Sequence, residues 1–319
     1  MKLPTILLCA LCGTSLAAEP NQAEAGQHAP GLLATFQDDT RTVSQVVALP
    51  ELGLAEEESA HPTIKPAFTA TYEGMLLAEE RGRYIFDTEG KLEIGGKAVT
   101  DSIALEPGKH ALRLTYVRPP GKICLGLSWE SGHFVKEPVP PNALWHSADS
   151  TPPEPDGKGE HPSPPLRIRN ALVELKCAAC HDANFLSTMH HKFQPDALLS
   201  MMRHTNPSKW YGAMTGPLLE EGETIKQLAA DLRKLPRGDR SRGQAGAAPN
   251  SAKSMVGTQG GLACIACHDI LHRKTEAESK GPNLALIHDR VSYDWFVRWM
   301  NNPQRLKPGV PMPAFFAGQ

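Results

Sequence analysis

A five-residue pattern, C-x-x-C-H, occurs twice in this 319-residue chain and constrains it more than any other feature. The copies are Cys177-Ala178-Ala179-Cys180-His181 and Cys264-Ile265-Ala266-Cys267-His268. A bare C-x-x-C also serves thioredoxin-like redox pairs and half zinc sites. The histidine directly after the second cysteine narrows the choice toward covalent haem attachment. Two thiols about one helical turn apart can add to the two vinyl groups of one porphyrin, and the adjacent imidazole then lies under the iron. The pattern predicts two covalently attached haem c groups. Cys177, Cys180 and His181 would hold the first; Cys264, Cys267 and His268 would hold the second.

The N-terminus agrees with this chemistry. Residues 1–18 read as a secretory signal, with Lys2 charged, Ile6 to Leu11 apolar, and Ser15-Leu16-Ala17-Ala18 small enough for cleavage. The expected location is periplasmic or secreted. No later stretch is long and apolar enough for a transmembrane segment. Cys9 and Cys12 would leave with the signal. Of the remaining five cysteines, four belong to the motifs. Cys124 stands alone among apolar residues, where a buried, inert thiol is expected. Residues 31–146 carry 16 acidic and 11 basic side chains, and residues 167–319 carry 13 acidic and 20 basic ones. The basic excess is not interleaved with aromatics, so nucleic acid is not an expected partner.

Residues 31–146 alternate apolar and polar positions in short runs between turn signals, which predicts an all-β sandwich. The runs include 68–72, 83–86, 91–94, 111–116 and 123–129. Gly90 is the expected positive-φ residue of one turn, and Gly95-Gly96 mark another. Residues 147–166 hold Pro152, Pro153, Pro155, Pro162, Pro164 and Pro165 and predict a semi-extended linker. Residues 236–253 are a second linker-like stretch. Between and after the linkers, helical spacing recurs in Ile168, Leu172 and Leu175, and in Ile225, Leu228, Ala229, Leu232 and Leu235. The predicted fold class is multidomain: an all-β sandwich followed by two small all-α domains at 167–235 and 254–319.

Two resemblances sharpen this reading. Gly31-Leu32-Leu33-Ala34-Thr35-Phe36, Tyr72-Glu73-Gly74, Gly82-Arg83-Tyr84-Ile85-Phe86, Gly108-Lys109-His110, Leu125-Gly126-Leu127-Ser128-Trp129 and Pro140-Pro141-Asn142-Ala143-Leu144 together resemble the protective-antigen-type β-sandwich domain. Sugar-binding members of that family place two adjacent aspartates after the Tyr-x-Phe strand. This chain reads Asp87-Thr88-Glu89-Gly90 there, and its pair Asp38-Asp39 lies elsewhere. The resemblance therefore implies a docking role ahead of a carbohydrate or cell-surface partner. The second resemblance is to tandem class I-like cytochrome c domains. Gly281-Pro282-Asn283-Leu284 matches the segment whose proline carbonyl accepts the proximal histidine N–H. Gly309-Val310-Pro311-Met312-Pro313 matches the setting of the distal methionine. The first unit offers Met214, with Met189, Met201, Met202, His190, His191 and His204 as rivals. His190-His191 otherwise reads as a solvated loop, and His272 and His288 as surface or supporting residues.

That resemblance implies iron ligands His181, Met214, His268 and Met312, with Pro282 orienting His268. A firmly six-coordinate iron leaves no open position, so the expected function is an exported dihaem cytochrome relaying single electrons between a redox donor and an acceptor protein. Whether the chain is an enzyme stays open, leaning against. One alternative is a dihaem enzyme with one open, peroxidase-like iron; no distal acid–base residue is identifiable for it. The other is a carbohydrate-binding module coupled to a partner dehydrogenase. No catalytic residue is assigned.

Overall fold

The computed structural model describes residues 28–150, 152, 159–175, 177, 181–194, 197, 223–236, 254–270, 272–276 and 281–316. Fourteen strands occupy residues 28–147. They are β1 (His28–Pro30), β2 (Leu32–Gln37), β3 (Thr42–Val47), β4 (Leu52–Leu54), β5 (Thr69–Ala78), β6 (Gly82–Asp87) and β7 (Lys91–Ile94), then β8 (Lys97–Val99), β9 (Ser102–Leu105), β10 (Gly108–Val117), β11 (Ile123–Leu125), β12 (Ser128–Ser131), β13 (Phe134–Pro138) and β14 (Leu144–Ser147). One sheet of eight strands has the order β1-β14-β5-β10-β7-β8, with β2 pairing β5 and β3. The second has the order β13-β12-β6-β9, and β4 pairs β11 in a two-stranded ribbon. The N-terminal part is thus the expected β-sandwich.

Its core follows from the alternation. Along β10, buried Leu112, Leu114 and Tyr116 alternate with half-buried or exposed residues. Leu32, Ala34 and Phe36 on β2 do the same, and Phe36 meets Phe68 and Tyr72 edge-on. Tyr84, Trp129 and Phe134 fill the end nearer the second sheet. Each large side chain buried this way contributes roughly 1.5–3 kcal/mol.

Three local expectations change. Gly90 does not take positive φ. Gly95 and Gly96 do, at 59° and 74°, in the β7–β8 hairpin, where Ile94 faces Lys97. Gly90 is instead a packing glycine, because a Cβ there would strike the Leu114 side chain. The run 123–129 is two strands, since the chain changes sheets at Gly126-Leu127 and Gly126 lies against the Pro236 ring. Finally, Cys124 is exposed. Ile123 and Leu125 on either side of it take the buried positions of β11, so the alternation runs in the opposite phase to the one expected.

Six helices are described: α1 (Pro164–Glu174), α2 (Ala183–Lys192), α3 (Glu223–Leu232), α4 (Ile287–Arg290), α5 (Tyr293–Asn301) and α6 (Pro303–Leu306). Pro164 and Pro165 open α1, where a missing N–H costs nothing. Asp182 caps α2 by accepting from Phe185 N at 2.8 Å, and Ser292 caps α5 by accepting from Trp295 N. Leu228 and Leu232 of α3 pack with Ala171, Met189 and Phe193. The expected two all-α cytochrome c domains are corrected here. The described helices are short, four to eleven residues each. Their apolar faces are spent on one α1–α2–α3 cluster, and α5–α6 lean on β13. No described helix is long and apolar enough to cross a membrane.

The sandwich and the helices are joined by buried charge. Arg167 of α1 donates to both Asp231 oxygens at 2.8 Å and to Glu58 Oε1 at 2.9 Å. Lys234 reaches the same Glu58 oxygen at 2.6 Å, and Asp231 has no solvent-exposed surface. Beside this network, a Cβ on Gly53 of β4 would strike the backbone of Lys234, so only glycine allows that approach. A second junction has Arg305 donating to Glu137 at 2.7 Å, with its guanidinium 3.9 Å from the Phe134 ring centre.

Candidate metal and prosthetic-group sites

The second C-x-x-C-H segment is well described. Cys264–Ala266 forms a single 3-10 turn, entered through Ala263 at φ 55°. His268 N donates to Cys264 O at 2.9 Å, which closes the turn and sets His268 one turn from the first cysteine. Cys264 is half-buried and Cys267 exposed, and they are not joined in a disulfide. Burial pushes the Cys264 thiol up, the opposite of the depressed value a reactive redox thiolate needs.

The surrounding loop is built to hold this turn. Asp269 is buried, and its carboxylate accepts from Thr275 N at 2.8 Å and from Lys274 Nζ at 3.1 Å. Thr275 Oγ1 donates to Ala266 O at 2.7 Å. Gly281 bridges to His268 in parallel, with Gly281 N donating to Cys267 O at 2.8 Å. A Cβ on Gly281 would strike the His268 imidazole, so only a bare backbone lets the ring approach there. His268 Nδ1 donates to Pro282 O at 2.8 Å. That bond selects the tautomer whose Nε2 lone pair is free for a metal.

Other predicted ligands are placed less completely. Met312 is half-buried, and its sulfur accepts from Trp299 Nε1 at 2.9 Å. No hydrogen bond or ring contact among the described residues joins Met312 to His268. In the first motif Cys177 and His181 are half-buried, and His181 stacks on Phe185 with ring centres 4.4 Å apart. Cys180, Met214, Met201, Met202 and His204 lie outside the described residues. Met189 is a core residue of the α1–α2–α3 cluster, and His272 and His288 are exposed.

The sequence reading missed one site. His190 and His191 are not a solvated loop. They end α2, with side chains 2% and 5% exposed. Their Nε2 atoms meet the two oxygens of Glu51 at 2.9 and 2.7 Å, and the Glu51 side chain is 7% exposed. Burial opposes the charge on Glu51, but the charges and hydrogen bonds of His191 and His190 outweigh it and hold the carboxyl well below the usual range. The amphipathic spacing of Phe185 and Met189, which brings α2 onto a core, was the available signal for the histidines. Glu51 follows Pro50 in the loop before β4, and nothing near it in the chain marks it.

The Asp38-Asp39 pair does not form a cation site. Asp38 accepts from the Thr40 and Arg41 backbone at 2.7 Å and from Lys65 N at 2.8 Å, so its oxygens are committed to the loop. Asp39 turns outward to Lys65 Nζ at 2.8 Å.

No family model matches this chain, and no curated protein matches it. Among solved structures, an anti-sigma factor domain-containing protein is 18% identical, covering 40% of this chain and 50% of its own length, with a TM-score of 0.35. A second such protein, from Clostridium clariflavum, is 20% identical over 41% of this chain and 50% of its own, at 0.33. The PA14 domain of the MpAFP antifreeze protein is 12% identical over 43% of this chain and 98% of its own, at 0.32. The chain thus spans about half the length of the first two.

The identification as tandem class I-like cytochrome c domains behind a protective-antigen-type domain is corrected by the described architecture, and so is the single-electron relay drawn from it. The described part of the chain is β-rich, with helices too few and too short for two such domains. The two alternatives to the relay, a peroxidase-like iron and a module serving a dehydrogenase, are corrected with it.

Proposed function

We propose that the chain is a sandwich-scaffolded carrier of covalently attached haem c, with Cys264 and Cys267 as thioether attachment points and His268 as proximal ligand. The Nδ1–H bond from His268 to Pro282 O, 2.8 Å long, carries the reading. It orients the ring and raises its basicity, which a histidine with no metal to bind does not require. The glycine cradle at Gly281 and the Cys264 thiol, which burial keeps protonated, fit the same group. Haem supplies an iron centre when bound. The chain's own residues fix its position, Asp269 and Thr275 by locking the loop and Pro282 by holding the imidazole. The first motif, Cys177, Cys180 and His181, would attach a second haem by the same pattern. The signal-like residues 1–18 support an exported chain, and the committed oxygens of Asp38 favour docking over sugar binding by the sandwich.

The test is covalent haem content of the full chain after export with c-type maturation, read by haem stain on a denaturing gel and by pyridine haemochrome. Two haems per chain are expected, falling to one in Cys264→Ala/Cys267→Ala. A chain that carries no denaturation-resistant haem overturns the proposal.

A further inference from the structure

We propose that Glu51, His190 and His191 form a divalent transition-metal site of the zinc type at the junction of the sandwich with α2. Three potential ligand atoms, one carboxylate oxygen and two imidazole nitrogens, lie within 4.8 Å of one another. All three side chains are withdrawn from solvent. Two imidazoles and one carboxylate make a set that zinc accepts, leaving a fourth position for water. Hard cations such as calcium and magnesium require mostly oxygen ligands, so they fit poorly.

The arrangement is unusual for neighbours on a helix. Successive helical side chains point in different directions, yet the His190 and His191 ring centres are 3.9 Å apart. A single carboxylate spans both rings, one oxygen to each. Tetrahedral zinc bonds of about 2.0–2.1 Å place ligand atoms roughly 3.4 Å apart. The ligand atoms already lie within 4.8 Å of one another, so zinc would draw each pair together by at most about 1.4 Å. The metal would replace the Nε2 protons that now bridge rings and carboxylate, so binding releases a proton for each bridging hydrogen not retained elsewhere on its ring. Zinc here would pin the helices to the sandwich across 139 residues of chain.

The experiment uses the full chain as exported, dialysed against zinc, with zinc and iron counted separately by mass spectrometry and the zinc shell read by X-ray absorption, so that zinc held here is told apart from zinc held by cysteines without haem. One retained zinc per chain is expected, with a zinc-edge X-ray absorption spectrum showing imidazole nitrogen and oxygen at about 2.0–2.1 Å and no sulfur. Glu51→Gln keeps the shape and hydrogen-bonding ability of the side chain and is expected to weaken zinc tenfold or more. His191→Gln is the second variant, with the haem absorption spectrum expected unchanged. A sulfur shell would place the zinc at a C-x-x-C pair and overturn the site. So would wild-type affinity in folded Glu51→Gln, failure of the wild type to retain zinc, or a haem spectrum altered by His191→Gln.

Discussion

Asp38 and Asp39 are adjacent and chemically identical, yet their consequences differ. Asp38 closes its loop by accepting from Thr40 N, Thr40 Oγ1, Arg41 N and Lys65 N, and these bonds hold its carboxyl below the ordinary range against the desolvation that opposes them. Asp39 makes one surface ion pair, worth little in water. Asp38→Ala is expected to lower the melting temperature by several degrees and Asp39→Ala to leave it unchanged, measured side by side by circular dichroism. Lys192 behaves in the opposite sense. Burial, with Arg290 and Lys307 nearby, pulls it down to about 8, while its ring contacts are Phe193 and Trp295. A lysine lowered in the folded state makes stability rise with pH between that value and its unfolded value of about 10.4. Denaturant midpoints are expected to increase between pH 8 and 10 in the wild type, and Lys192→Met to flatten that increase.

At the scale of elements, the junction of α1, α3 and β4 rests on four charges and one missing side chain. Removing one partner from a buried network costs about 3–5 kcal/mol, and Asp231→Ala leaves Arg167 and Lys234 facing one carboxylate. A loss of that size in chemical denaturation is expected. Gly53→Ala forces a methyl into the Lys234 backbone and is expected to cost ~1–3 kcal/mol, with faster proteolysis near 223–236 as the sign that the helix has lifted. Burial raises the Glu58 carboxyl, but Ala55 N, Lys234 and Arg167 together hold it lower than usual. Its contribution is therefore complete above its unfolded value of about 4.3 and lost as the pH falls through the folded one. Acid unfolding of Glu58→Gln is expected to show a shallower slope below pH 4.5. Much of the sandwich was legible, because alternation in runs such as 111–116 records burial directly. The 3.6-residue period of α3 was equally plain in Ile225, Leu228, Ala229 and Leu232. The break at Gly126 was not, and the Pro236 ring that packs on it lies far along the chain. The same distance hid Glu51: a pattern within ten residues cannot report a partner 139 residues away.

For the whole molecule, the C-x-x-C-H turn shows how local signals and global architecture separate. The motif, Gly281 and Pro282 lie close in sequence, so their spacing was readable, and the structure joins His268 to the Pro282 carbonyl. The class of domain around them was not, because helix count and packing depend on which apolar faces the sandwich takes. Among the charged contacts of the described residues that tie the sandwich to the later segments are Glu51 with His190, Glu58 with Lys234 and Glu137 with Arg305. In each, the acidic member belongs to the sandwich and the basic or imidazole member follows by 139, 176 and 168 residues. A chain made from its N-terminus completes the receptors before their counterparts exist. Assembly therefore has a direction in time: the sandwich waits with its carboxylates hydrated, and each later segment docks onto a surface already waiting for it.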